Sequence, residues 1–314
     1  MKYMIRKLAT MIVTVIIVSF LVFACFSLIP GDPATSMLGT QATPAKVEAL
    51  REEMGLNRPF FVRFASWFTK AIQGDFGTSY SYNTSVTEMI GDKIPITVTL
   101  TVMAFLMILA VSIPLGLYTA KHEGSIVDRV ILMINQIIMA VPPFFSGIVI
   151  TVLCGLILKW FVPGGFVSYT KNVPQFLFYM IFPSVAVALP KIAMTVKLLR
   201  SSVLEEADKE YVRTAYSHGL STTGVLYSHV LKNAMIPVVT FLGMVLADMI
   251  AGSIIMEQVF NIPGLGRILL TSISNRDYPV VEAIILCIAA LVLVVNFLVD
   301  IIYRFLDPRI EINQ

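Results

Sequence analysis

The residues able to do chemistry in this sequence form no catalytic set. Glu205, Glu206, Asp208, Lys209, Glu210 and Arg213 cluster within a few residues of one another, but without the spacing of a hydrolytic or metal centre. Neither H-E-x-x-H nor G-x-S-x-G occurs, which removes the zincin and serine-hydrolase readings. A phosphate loop of the form G-x-x-x-x-G-K-[ST] is also missing, and the Gly-rich run Pro263-Gly264-Leu265-Gly266-Arg267 lacks the lysine that would reach a nucleotide. Cys25, Cys154 and Cys287 lie in three different apolar segments; an odd count without C-x-x-C spacing gives neither a disulfide framework nor a zinc site. One further charge, Asp248, stands near the middle of a long apolar run. Such a residue marks a transport pathway by default, or pairs with Lys191 or with an arginine of a partner chain to hold helices together.

Around these residues the chain is built for a membrane. Of 314 residues, 57% are hydrophobic and 14% charged, where a soluble domain carries about a quarter charged. The net charge of +3 points to no nucleic-acid partner. Six apolar segments are long enough to cross a bilayer: Leu8–Ile29, Ile96–Ala120, Val130–Leu158, Phe176–Leu198, Pro237–Met256 and Val280–Tyr303. The first outlasts a cleavable signal core of about 7–15 residues and is read as an anchor. Pro142-Pro143 interrupts the third, which is expected to be a tilted or broken span. Gly243, Ala247 and Ala251 give the fifth a small-residue stripe suited to close helix contact. Asn135 and Gln136 sit on the third, and with Asn296 they read as interhelical hydrogen-bond residues or as pathway residues.

Residues 30–95 form the one sizeable polar segment outside the spans. Thr43-Pro44 opens a helix there, with Thr as cap, and Gly55 closes it. Phe60, Phe61, Phe64, Trp67, Phe68 and Ala71 then make the apolar face of a helix that lies in the interface or packs on the spans. The chain thus divides into an anchor (1–29), an outer helical segment (30–95) and a five-span core (96–314) that carries a polar loop at 199–236.

That loop is the organising feature. At the bilayer centre each of its charges costs roughly 2.5–3.5 kcal/mol, so it stays outside the hydrocarbon. Val203, Ala207, Tyr211 and Ala215 recur at i+4 as one stripe on a polar helix. Gly219 ends it, and Ser221 or Thr222 caps a second short helix through Leu231. Lys2, Arg6 and Lys7 place the N-terminus inside, which puts this loop and both termini in the cytoplasm. His122, His218 and His229 then all fall in cytoplasmic loops and make no metal cluster in a pathway.

The run EYVRTAYSHGLSTTGVLYSHVLKNAMIPVVT, Glu210 to Thr240, resembles the cytoplasmic loop of ABC-importer permeases of the dipeptide, oligopeptide and nickel branch. Arg213-Thr214-Ala215 stands where the wider superfamily has Glu-Ala-Ala, and Leu231-Lys232 near its Leu-Pro, both usual in this branch; Tyr216, Thr222 and Thr223 stand where the branch often carries basic or charged residues. Ile29–Ala34, Gly55–Pro59, Gly74–Tyr80, Val259–Arg267 and Arg276–Val280 are similar to other segments of the same permeases.

The resemblance implies an all-α transmembrane chain of about six spans, the type I importer permease fold, with a cytoplasmic coupling helix. It implies a second, similar permease, two ABC ATPase subunits that supply ATP and Mg, and an external substrate-binding (lipo)protein; this chain itself binds no cofactor. Glu210, Tyr211, Arg213, Ala215, Gly219, Leu220, Ser221, Leu226, His229, Leu231, Lys232 and Asn233 would couple to the ATPases. Phe260, Pro263, Gly264 and Gly266 would form an outer gate, or simply a compact turn, while Asp248, Asn135 and Gln136 are candidates for the substrate pathway. The expected cargo is a di- or oligopeptide; nickel or a metal chelate is the alternative. An ion-coupled carrier fits less well, because Asp248 has no counterpart in a repeated half.

Overall fold

The computed structural model describes residues 2–28 and 32–306. Ile29, Pro30 and Gly31 of the Ile29–Ala34 segment, and Asp307-Pro308-Arg309 with the C-terminus, lie outside the described residues. Regular structure among the described residues is helical, apart from one isolated bridge between Thr78 and Ser85. By length and composition five helices among the described residues can cross a membrane, or six if one bent pair counts as a span. The chain forms two compact units, Met1–Thr97 with Pro263–Leu293 and Val98–Ile262 with Val294–Gln314.

In the first unit, α1 (Lys2–Leu28) is the long apolar helix of the first span. Helices α2 (Pro33–Leu38), α3 (Pro44–Glu53), α4 (Phe60–Ile72) and α5 (Val86–Gly91) follow. Thr43 holds the N-cap position of α3 in extended geometry, but its side chain makes no capping bond, contrary to the expectation above. Gly55 ends α3 as expected: at φ +67° it lets the Leu56 amide donate to the Arg51 carbonyl at 2.8 Å. The aromatic face of α4 packs on α1 through Phe20–Phe64 (5.3 Å between rings) and Phe23–Trp67 (5.6 Å), while Phe61 remains 71% exposed. Helix α4 is therefore docked on a span. After α6 (Ile94–Lys121), this unit resumes with α13 (Leu265–Ser274) and with α14 (Tyr278–Leu306) as far as Leu293.

The second unit is built around α9 (Val173–Ala207), a helix of 35 residues that accommodates Pro183 and Pro190 and packs along α12 (Leu231–Val259). The interrupted third span separates into α7 (Ile126–Ala140) and α8 (Pro143–Ile150), the latter continuing in wide π-turns through Thr151–Ile157. The two arms meet at 103°. The cause is local. A residue before proline is pushed out of the helical region, and Pro142 accordingly sits at ψ 141°.

Two helical boundaries differ from the sequence reading. The stripe Val203, Ala207, Tyr211, Ala215 does not lie on one helix, because α9 stops at Ala207 and α10 runs Glu210–Ser217. Lys209 is extended at the joint, held by the Glu206 carboxylate, and the buried positions become Val203, Val212 and Ala215. The second short helix is also not free-standing: α11 (Thr222–Val225), a π-segment Leu226–Val230 and α12 form one continuous rod of 38 residues. Widening to π-turns lets the helix absorb a local change of register without a break.

Of the small-residue stripe, Gly243 is the member used within the chain. A Cβ there would meet Val299 at 2.4 Å, whereas Ala251 is exposed. Gly243→Leu should therefore cost about 1–3 kcal/mol of overpacking, and Ala251→Leu little. Unfolding midpoints of the two purified variants test the contrast.

Candidate coupling surface and membrane face

The elements at the polar loop are tied together on one side and bare on the other. Glu206, 8% exposed at the end of α9, accepts from Lys209 Nζ and from the Tyr211 hydroxyl at 2.9 Å, and Asn233 Nδ2 donates to the same hydroxyl at 3.1 Å. One carboxylate thus joins α9, α10 and the start of α12. Burial pushes the Tyr211 hydroxyl above its ordinary range, so it stays protonated and able to donate; the bond to Glu206 likewise raises Lys209. Lys121 Nζ, closing α6, donates to Thr223 Oγ1 of α11 at 3.3 Å.

The turn between α10 and α11 follows from its sequence. Gly219 adopts φ +80°, and its amide donates to the Tyr216 carbonyl at 2.9 Å. Between Ser221 and Thr222, the cap is Ser221, whose hydroxyl accepts from the Gly224 amide at 3.2 Å.

The sequence-predicted coupling residues divide by burial. Ala215 and Leu226 face inward, where they join Val212, Val225 and Val230. Leu231 is half-buried, and Tyr211 and Asn233 belong to the Glu206 network. Arg213, Leu220, Ser221, His229 and Lys232 are exposed; Glu210 is also exposed and meets Arg213 at 3.9 Å, a pairing worth little in water. Tyr216, Leu220 and Tyr227 give this surface an apolar component, at 45%, 45% and 55% exposure.

A second lock was not anticipated from sequence. Asp128, 1% exposed on α7, receives Arg200 Nε and Nη2 of α9 at 2.9 Å each, a two-pronged pair. Glu123 approaches the same guanidinium at 3.5 Å, and the Gly124 amide donates to Asp128 at 3.0 Å. Asp128 and Arg200 are 72 positions apart, so no local pattern could join them. The one available signal was a charged pair near the ends of two apolar segments.

The predicted pathway residues do not converge on one cavity. Asp248 pairs with Lys191 across α12 and α9, the first of the partners considered for it, and its side chain is 64% exposed. Asn135 is buried with Nδ2 unpartnered, beside an apolar cavity of about 440 Å³ that it shares with Val185, Leu189 and Ile192 of α9. Asp248 and Gln136 do not line that cavity.

The predicted gate residues divide between the two units, Phe260 in the second and Pro263, Gly264 and Gly266 in the first. Phe260 is buried at the C-terminal end of α12, where its carbonyl accepts from the Tyr179 hydroxyl at 2.7 Å and its ring approaches Phe161. Gly264 and Gly266 are buried at the start of α13, with Pro263 half-buried beside them, and the intervening Leu265 amide donates to Thr97 Oγ1 at 3.0 Å. Nearby, the fully buried Asp277 accepts from the Ser79 hydroxyl, the Tyr80 amide (2.9 Å) and the Ser81 amide (3.2 Å). This carboxylate fixes the Gly74–Tyr80 segment on the turn before α14.

Sequences of known proteins match this one along nearly the whole chain. Residues 112–312 match the family described as binding-protein-dependent transport system inner membrane component, and residues 1–101 match the one described as binding-protein-dependent transport system membrane component, N-terminal. A probable peptide ABC transporter permease protein of Sinorhizobium fredii is 34% identical over 309 residues, covering 98% of this chain and 99% of the relative. The oligopeptide transport system permease protein AppB of Bacillus subtilis is 35% identical over 312 residues, covering 98% and 99%. A putative peptide transport system permease protein of Brucella abortus is 34% identical over 306 residues, covering 98% of each. The chain belongs to the family of inner membrane components of binding-protein-dependent transport systems.

Proposed function

We propose that this chain is one permease half of an ATP-driven importer that brings di- or oligopeptides across the cytoplasmic membrane by alternating access. Its N- and C-termini lie in the cytoplasm. A second, similar permease completes the pathway, two ABC ATPase subunits hydrolyse ATP, and an external binding protein delivers cargo. The names of the relatives from Sinorhizobium fredii and Bacillus subtilis support the peptide assignment.

The observation that carries the mechanism is the exposed Tyr216–Leu220–Tyr227 surface on helices whose inner sides are fixed. ATPase subunits would grip it from the cytoplasm. Glu206 and Asn233 then pass the displacement to α9 and α12, two rods that continue into the membrane. Asp248, paired with Lys191 on those same rods, would be a pathway residue whose access changes with rigid-body movement. Phe260 and the Pro263–Gly266 turn serve at the outer end.

Leu220→Asp tests the grip. A charge placed in an interface core costs about 2 kcal/mol or more. Uptake of a labelled oligopeptide should fall more than tenfold, with the chain inserted normally. Unchanged uptake, or wild-type uptake that persists without ATP, would contradict the proposal.

A further inference from the structure

The first unit contains a cavity of about 550 Å³ that the transport account leaves unused. Its walls come from the end of α1, from α3 and α4, from the Gly74–Tyr80 segment and from the first turns of α14. Four cations line it: Arg51, Arg58, Arg63 and Lys70. None of the four makes an ion pair among the described residues, although Arg63 stacks over the Phe23 ring at 5.7 Å. The cavity's acidic residues are Asp32, Asp75 and Glu282, and the first two are occupied locally. Asp32 caps α2, and Asp75 accepts from the Gly77 amide.

Two donors on this wall are buried without an acceptor, Arg51 Nε and Trp67 Nε1, and the Tyr278 hydroxyl is buried unpartnered as well. Leaving such a group unmatched away from water is unfavourable. The third carboxylate, Glu282, lies in the field of Arg63, which leaves Arg51, Arg58 and Lys70; these cations and the donors without acceptors call for the same complement, an anion rich in oxygen. Guanidinium groups favour phosphate, whose oxygens accept their paired N–H bonds.

Position narrows the ligand further. The cavity meets α1 at Phe23, Phe26 and Ser27, the last turns of a span that ends at Leu28, which is headgroup depth. Aromatic side chains are concentrated there, as they are at membrane interfaces, and Phe61 and Ile72 of α4 are exposed nearby at 71% and 72%. We propose that this cavity binds a phosphate monoanion or diester, with the headgroup of an anionic phospholipid as its occupant.

Trp67 supplies the probe. The chain has two tryptophans, and Trp160→Phe leaves Trp67 as the single reporter. The full-length protein is reconstituted in phosphatidylcholine, and brominated phosphatidylglycerol or brominated phosphatidylcholine is titrated in. Quenching of Trp67 should favour phosphatidylglycerol by at least about fivefold, near the contribution of one basic residue at a membrane surface. Arg51→Gln with Arg58→Gln should abolish the preference; Lys70→Gln, at an exposed position, should reduce it even if the double variant proves unstable. Competition by millimolar inorganic phosphate, with no preference between the two lipids, would show that free phosphate is the occupant in place of the headgroup. Equal quenching by both lipids without phosphate competition, or a preference unchanged in the variants, would overturn the proposal, as would displacement by oligopeptide alone.

Discussion

Asp128→Ala should destabilise the second unit by about 3 kcal/mol or more, the largest effect of any single substitution considered. The variant removes a buried carboxylate and leaves the Arg200 guanidinium, whose side chain is 17% exposed, with only the longer contact to Glu123. Breaking a buried pair by deleting one partner costs about 3–5 kcal/mol, because the remaining charge stays desolvated. It also frees the Gly124 amide and so loosens the turn between α6 and α7. Asp128→Asn keeps an acceptor for Gly124 and should lose less. The double variant Asp128→Ala/Arg200→Leu removes both charges and should regain a large part of the loss. Unfolding midpoints of the four proteins in one detergent test the ranking; a double variant no better than Asp128→Ala would refute the ion-pair explanation. Because Arg200 lies two turns before the end of α9, the same variants should also weaken the link between ATP hydrolysis and uptake.

Asp277→Ala should have the second-largest effect, confined to the first unit. It strips the acceptor from one buried hydroxyl and two part-buried backbone amides, at a carboxylate that is itself fully buried. Bonds to a charged acceptor contribute about 1.5–3 kcal/mol each, with strong overlap among them, so a total of about 3 kcal/mol is expected. The local consequence is more diagnostic than the total. Amide exchange at Tyr80 and Ser81 should accelerate at least a hundredfold, while the amides of α9 remain protected. Uniform acceleration across both units would show that Asp277 acts on the whole chain, contrary to this description.

How far the sequence could be read depended on the range of the interaction. The six apolar segments, the break at Pro142-Pro143 and the turns at Gly55 and Gly219 are encoded by neighbours within a few residues, and all appear in the structure. The joint at Asp208–Lys209 was missed because i+4 spacing cannot distinguish one helix from two in succession. The continuous rod from Thr222 to Val259 was missed for the opposite reason. Ser221 gives a clear start and the pattern carries a helix through Leu231, but polar Lys232 and Asn233 separate it from the apolar run that begins at Pro237, so only the structure shows the two to be continuous. The locks at Asp128–Arg200 and Ser79–Asp277 were out of reach, since each joins residues far apart in the chain. Among the coupling candidates, sequence supplied the segment, and burial separates the residues that can be touched from those that hold them in place.

The central claim is that the α10–α11 surface is covered by ATPase subunits on the cytoplasmic side. The most direct test places a single cysteine at Leu220, with Cys25, Cys154 and Cys287 replaced by serine, and measures labelling by a membrane-impermeant maleimide. Labelling should occur in inside-out vesicles when the permease is expressed alone, and be suppressed when the ATPase subunits are co-expressed. Labelling from the external face, or equal labelling with and without those subunits, would contradict the account.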